Sequence, residues 1–331
     1  MSGYREQLTG ALLAAAVTSQ TSYSWFGHRS RPLPRELCTA LPRRTARTYL
    51  IHLLEGELYR SFFTQGRPVP AGLSRLNSAR PNPQFVDALS EANCGVGGWE
   101  SGWRVEASEY PFLFVRRNGL CARVRAAECD APGDPAAGTW VRIRRPKELR
   151  AASPGFYTAL GNAEPTAGPQ EPEVRVYFNV TPTGAPPLIA ACTGLLNDAN
   201  LPFDLKVIDS PSGFGRRDCA VLYLAGDGYK LVRAELEAIT SACARHLRDG
   251  VPAFTKSLAR GVAVGAHRPQ RGSSFGGARC RLIAEALVAA HEAGMTAIAD
   301  RVEAVTRRFA AEGLDIESPY LAPRGVHNFE L

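Results

Sequence analysis

Lysine is nearly missing from this chain. Of its 39 Lys and Arg residues only four are lysines (Lys147, Lys206, Lys230 and Lys256), and against 32 Asp and Glu the formal charge is +7. The preference for arginine, with heavy use of Ala, Gly and Pro, fits a GC-rich genome as well as acidic partners, so charge alone is a weak argument for nucleic acid. Long apolar runs are missing too. None approaches the ~20 residues of a membrane span. The N-terminal MSGYREQLTGALLAAAVTSQ has too short an apolar core, with Arg5 and Glu6 mixed in, to read as a signal peptide.

Paired metal motifs are absent. The eight cysteines include no CxxC pair and no Cys/His cluster at zinc spacing, and several fall in apolar periodic segments as small hydrophobes. There is no GxxxxGK[ST], no HExxH, no GxSxG and no carboxylate cluster suited to magnesium. These absences argue against a P-loop ATPase, a zinc protease and a serine hydrolase. They lead us to expect a reduced, cytoplasmic protein with no membrane partner, metal or cofactor.

What is present divides at residues 161–172, GNAEPTAGPQEP, a linker-like stretch. Before it, a short helix is expected over residues 4–18, irregular chain over 20–43, and a helix from Arg44 to Gln65. In that helix Tyr49, Leu53, Leu54, Leu58 and Phe62 recur at helical spacing, until Gly66 and Pro68 stop it. Its aromatic end, LYRSFFTQGRP, fits either core or a partner surface. A helical turn over Pro83–Ala92 is followed by strands at 103–107, 112–117, 120–125 and 139–144, with Arg117-Asn118-Gly119 as a hairpin. After the linker, EVRVYFNV alternates Val174, Val176, Phe178 and Val180 against Arg175, Tyr177 and Asn179. Helices over 188–197, 232–248, 281–293 and 295–311 surround further strands at 203–208 and 219–224. The fold class expected is α+β: a C-terminal mixed sheet flanked by helices (residues 173–331), preceded by a helical and small antiparallel-sheet region (residues 1–160) for peptide or partner binding.

The stretch from Gly261 to Arg281, GVAVGAHRPQRGSSFGGARCR, reads as a glycine-rich loop with five glycines, His267 and the arginines 268, 271, 279 and 281. Such a loop can turn main-chain N–H groups onto an anion, and guanidinium forks suit phosphate. Solvated arginines on a surface loop are the plainer alternative. In FDLKVI, Lys206 faces away from Phe203, Leu205 and Val207, in phase with Asp204. A lysine mounted on a strand near arginines has its pKa lowered by like charge and desolvation, as a general base requires; an exposed strand lysine is the alternative. Arg216 and Arg217 end the next loop and face opposite ways, and Asp218 can hold one of them by a bidentate pair. A lysine, several arginines and no metal fit phosphate elimination from phosphoserine or phosphothreonine. The base takes the Cα proton, the arginines bear the charge of the departing phosphate, and a dehydroamino acid remains.

The order of VRVYFNV, FDLKV, RRDCAVLYL and PAFTKSLARGVAVGAHRPQRGSSFG followed by Arg279, with LYRSFFTQG and SPGFYTALGNA upstream, resembles the HopA-type effector family over residues 45–290. Its members include bacterial type III effectors and stand-alone proteins of thioviridamide-like and class V lanthipeptide clusters. The resemblance implies a lyase in ribosomal peptide biosynthesis. Its partners would be a phosphorylated precursor peptide and an aminoglycoside-phosphotransferase-like kinase, with no nucleic acid. It implies Lys206 as base, Arg216, Arg217, Lys256 and Arg279 as phosphate ligands, and His267 as a candidate acid. Asp204, Asp218, Asn179 and Ser274 are the supporting polar groups. Relatives often carry an acidic residue where this chain has His267. A non-catalytic partner of the kinase and leader peptide is the alternative within the family, and a nucleic-acid binder the alternative outside it.

Overall fold

The chain starts with α1 (Tyr4–Ala14), β1 (Ala15–Ser19), β2 (Ser22–Trp25), β3 (His28–Arg29), α2 (Arg35–Ala40), α3 (Arg43–Ser61) and α4 (Pro83–Ala92). The computed structural model describes residues 3–70, 72, 80–131, 133–164, 172–225, 228–268, 274–323 and 329. Residues 20–43, expected to be irregular, instead supply two strands of a three-stranded sheet and a short helix. The alternation Tyr23-Ser24-Trp25 explains this: both aromatics are buried, and the Tyr23 hydroxyl donates to Glu57 of α3 at 2.8 Å. α3 buries Leu50, Leu54 and Leu58, while Tyr49 and Leu53 lie half-buried at its margin. Phe62 and Phe63 just past its end are fully buried, which assigns that aromatic cluster to the core. Gly66, at φ 66°, turns the chain away.

Next come β4 (Gly98–Glu109), β5 (Phe112–Arg117), β6 (Leu120–Arg125) and β7 (Trp140–Arg145), an antiparallel sheet in the order β6-β5-β4-β7. Asn118 and Gly119 turn the β5–β6 hairpin with φ 49° and 80°, as a two-residue type I′ turn demands. Trp103, Val105, Leu113, Val115 and Val141 form its small core.

The remaining elements are β8 (Glu148–Ser153), β9 (Phe156–Leu160), β10 (Glu173–Phe178), α5 (Ala185–Asp198), β11 (Asp204–Ile208), β12 (Ala220–Ala225), α6 (Gly228–Leu231), α7 (Arg233–Cys243), β13 (Lys256–Ala259), β14 (Val262–His267), α8 (Phe275–Glu292) and α9 (Ile298–Ala311). Seven strands form one sheet, β13-β14-β10-β12-β11-β9-β8. It is flanked by helices as expected, but every pairing is antiparallel rather than mixed. The reason is topological. The β10–α5–β11 unit would give two adjacent parallel strands, but β12 folds back between them. The sheet draws β8 and β9 from before the 161–172 segment and the other five strands from after it.

One face buries Val174, Val176, Phe178, Leu205, Val207 and Leu222 against α5 and α7. The other carries Tyr177 and Val221 under Phe63 and Phe275. The stretch expected as one long glycine loop is thus mostly the inner strand β14 and the start of α8; residues 269–273 lie outside the described set. Its glycines serve close packing. A Cβ on Gly265 would stand 2.7 Å from the Phe275 ring, and one on Gly276 2.3 Å from the Phe63 ring.

Candidate functional site

Side chains directly opposite in an antiparallel sheet share a face. Asp204 stands opposite Tyr223, Tyr223 opposite Arg175, and Arg175 opposite Gly265. The neighbouring rung runs Thr158, Lys206, Val221, Tyr177 and Ala263. Along this face burial falls from Tyr177 to the half-buried Tyr223, Lys206 and Asp204, so the polar end meets solvent beside the apolar layer of α3 and α8.

Tyr223 is the centre of that end. Lys206 Nζ lies 5.4 Å and Arg175 Cζ 5.0 Å from its ring centroid, both in cation–π range. Burial pushes the Tyr223 phenol up to about 12, against the pull of Arg175. Lys206 Nζ also donates to Ser153 Oγ at 3.2 Å, which ties it to the end of β8. Arg175 is buried, and its Nε donates to Glu173 Oε1 at 2.5 Å. Its two terminal nitrogens have no hydrogen-bond partner among the described residues. Burial works against its charge, but Tyr177 and Glu173 outweigh it and hold the guanidinium protonated.

Arg216 arrives from the loop before β12. Its Nε and Nη2 both donate to the Asp218 carboxylate at 2.5 Å, the bidentate pair the sequence suggested, and Nη2 donates to the Tyr59 hydroxyl at 3.1 Å. Its Cζ lies 5.8 Å from the Phe156 ring. Phe156 pairs with Ser153 across the β8–β9 hairpin, so Arg216 borders the Lys206–Ser153 contact. Asp204 lies one strand step from Lys206; burial raises its carboxyl, with Arg145 opposing, and its Oδ1 is buried with no hydrogen-bond partner among the described residues.

The other expected residues lie elsewhere. Arg217 turns away from Arg216, between Gly66 and Gly250, and donates to Val251 O at 3.4 Å; burial and the neighbouring Arg67 and Arg248 lower its pKa. Lys256 pairs in register with Val264, whose side chain belongs to the opposite face, and its ammonium lies 5.8 Å from the Tyr320 ring. Arg279 is 2% exposed, and its donors are committed to the carbonyls of Pro319, Ala266 and Leu321 and to His267 Nδ1. Burial lowers its pKa to about 10. It pins the 319–321 segment onto β14, and His267 is engaged in the same cluster. Asn179 donates to the carbonyls of Asp249 and Gly250 and orders that loop, and Ser274 caps α8 by accepting from Gly277 N at 3.0 Å. The geometry therefore sets Asp204 and Lys206 on one face of β11 and brings the Arg216–Asp218 pair to Phe156, opposite Ser153. It leaves Arg217, Lys256, Arg279, His267, Asn179 and Ser274 with structural contacts away from these groups.

Sequence reasoning missed Arg175, Tyr223, Tyr59 and Ser153 as members. A signal existed for the first two: each is a polar residue in phase on a strand otherwise made of apolar side chains. No group of three or more His, Cys, Asp or Glu able to hold a metal ion occurs among the described residues.

The family model described as the HopA1 effector protein family matches residues 148–321, more than half of the chain. Two solved structures are similar. The effector protein from Pseudomonas syringae pv. tomato strain DC3000 shares 17% identity at a TM-score of 0.46, covering 86% of this chain and 93% of its own. That from Pseudomonas syringae pv. syringae strain 61 shares 16% at 0.45, covering 81% and 89%. No curated protein sequence is significantly similar.

Proposed function

The chain belongs to the HopA1 effector protein family, and from that premise we propose that it is a phosphoserine/phosphothreonine lyase acting on a peptide. The observation that carries this reading is the placement of Lys206 and Arg175 on one Tyr223 ring, with Arg216 bordering the Lys206–Ser153 contact. On this reading Arg175 and Arg216 are the phosphate ligands, since each keeps a terminal nitrogen clear of described partners. Lys206 takes the Cα proton. The C–H pair becomes the Cα=Cβ bond, the Cβ–O bond breaks, and its electrons leave on phosphate, where two fixed guanidiniums meet the growing charge. The peptide keeps a dehydroalanine or dehydrobutyrine. A kinase of the aminoglycoside-phosphotransferase type would supply the phosphorylated precursor in ribosomal peptide biosynthesis.

The test uses synthetic peptides carrying a single phosphothreonine, read by mass spectrometry. Loss of phosphoric acid by the wild type, reduced at least ~10²-fold in Lys206→Ala with peptide binding retained, supports the reading. Full elimination by Lys206→Ala removes the base assignment. Binding without elimination in the wild type, also in the presence of the kinase, leaves a non-catalytic partner as the answer.

A further inference from the structure

The small sheet has one closed edge and one open edge. Outside β7, Cys129 bridges to Ile143 and Asp130 N donates to Arg142 O at 3.0 Å. No described strand pairs with the outer side of β6. In a two-residue hairpin the residues next to the turn, here Arg117 and Leu120, are hydrogen-bonded to each other, so even-numbered residues of β6 bond inward to β5 and odd-numbered ones turn outward. Local contacts fit this phase: Ala126 N donates inward to Pro111 O at 2.9 Å, and Arg125 N is taken by the Glu128 carboxylate at 3.2 Å. Cys121 and Arg123 therefore present main-chain donors and acceptors along the edge that no described residue takes.

Charge and shape say what the edge accepts. On the outer face of β6, Arg123 and Arg125 have no carboxylate within ion-pair distance among the described residues, whereas Glu106 on that face is already paired with Arg116 at 3.0 Å. The Arg123 guanidinium folds back to 3.6 Å over the Phe112 ring, which leaves the edge itself uncovered. The inner face of β6 offers apolar side chains, with Leu120 63% exposed at the end of the strand. An added strand sets alternate residues against these two faces. Charged side chains normally shield such an edge, but here Arg123 lies over the sheet and not across the ladder.

We propose that β6 is a docking edge for an extended peptide that alternates acidic and apolar residues and adds to the sheet as a fifth strand beside Cys121 and Arg123. The proposal is independent of the chemistry assigned to Lys206. Its partner is a peptide and not a nucleic acid, because the edge offers a main-chain ladder and its apolar side has no use for phosphates.

The experiment titrates the full chain into a fluorescein-labelled peptide alternating Glu and Val, its Lys–Val counterpart, and labelled oligothymidylate, read by anisotropy. The Glu–Val peptide binds and the Lys–Val peptide does not. Cys121→Pro removes only an outward N–H, which an edge strand tolerates, and weakens binding at least tenfold. Arg123→Glu does the same, and serves alone if the proline variant melts early. Failure of the wild type to bind the Glu–Val peptide overturns the proposal. So does undiminished binding by both variants, or tighter binding of oligothymidylate that Cys121→Pro leaves unchanged.

Discussion

Arg216 and Asp218 share two hydrogen bonds of 2.5 Å, both side chains almost wholly buried. Asp218 raises the Arg216 pKa against the opposing effect of burial, and so keeps a permanent cation at the site. Removing one partner of a buried pair strands the other charge, at a cost of about 3–5 kcal/mol. Asp218→Ala is therefore expected to shift the urea midpoint strongly. The double change Arg216→Met with Asp218→Leu recovers most of that stability, yet binds phosphopeptide far more weakly. Equal affinities in the double variant and the wild type would take Arg216 out of the site.

The Asp204 carboxyl provides a pH test. Burial raises it above its ordinary 3.8, with Arg145 pulling the other way. Folding then favours the protonated form: that contribution is complete below about the ordinary value and is lost as pH rises through the raised one. Asp204→Asn mimics the protonated state, so this variant melts above the wild type at pH 7, and the gap closes as pH falls toward 4. Calorimetry from pH 4 to 8 checks this. Parallel melting curves would mean that the buried carboxylate carries no such cost.

Gly276 gives a packing test. Its place in α8 admits the Phe63 ring where a Cβ would stand 2.3–2.5 Å from three ring carbons. The ring sits between Tyr59, Tyr177 and Phe275 and has nowhere to retreat without moving them. Gly276→Ala is expected to lower stability by about 1–3 kcal/mol, despite alanine's better helix propensity. It should also loosen Tyr59 from Arg216. A melting temperature at or above wild type would show that the α3–α8 contact yields.

The long helices and the strands β4–β7 and β10–β12 were legible in the sequence because their periods are clean, whereas β1–β3, β8, β9, β13 and β14 were not. The alternation at 173–180 and the stripe of Val232, Leu236, Ile239, Cys243 and Leu247 both describe buried faces. Lys206 stood out for the same reason, as the polar phase of an apolar strand. Order along the chain cannot reveal which strands become neighbours. β12 between β10 and β11 is what puts Tyr223 between Lys206 and Arg175, so that relationship was invisible. Arg279 shows the converse. Arginine beside glycine and serine reads as an anion site, but the groups that occupy its donors lie 40 and 42 residues away in sequence.

Arg279→Lys separates those two roles. A lysine cannot reach three carbonyls and a histidine together, so the 319–321 segment is released and limited proteolysis cuts there sooner. Phosphopeptide affinity of the remaining folded chain stays within about threefold, since 1 kcal/mol is about a fivefold change and no direct contact is lost. Loss of affinity with unchanged proteolysis would return Arg279 to the phosphate site.

That clamp also sets an order of events during synthesis. Pro319 is made 40 residues after Arg279, a delay of about 2–8 s at ordinary elongation rates of roughly 5–20 residues per second. Over that interval the arginine must stay hydrated, and β14 has no lid for the carbonyl it offers at Ala266. Closing of the sheet's last layer is thus timed by the ribosome, and a chain stalled in α9 would hold every residue of the Lys206 cluster while its fastening was still unmade.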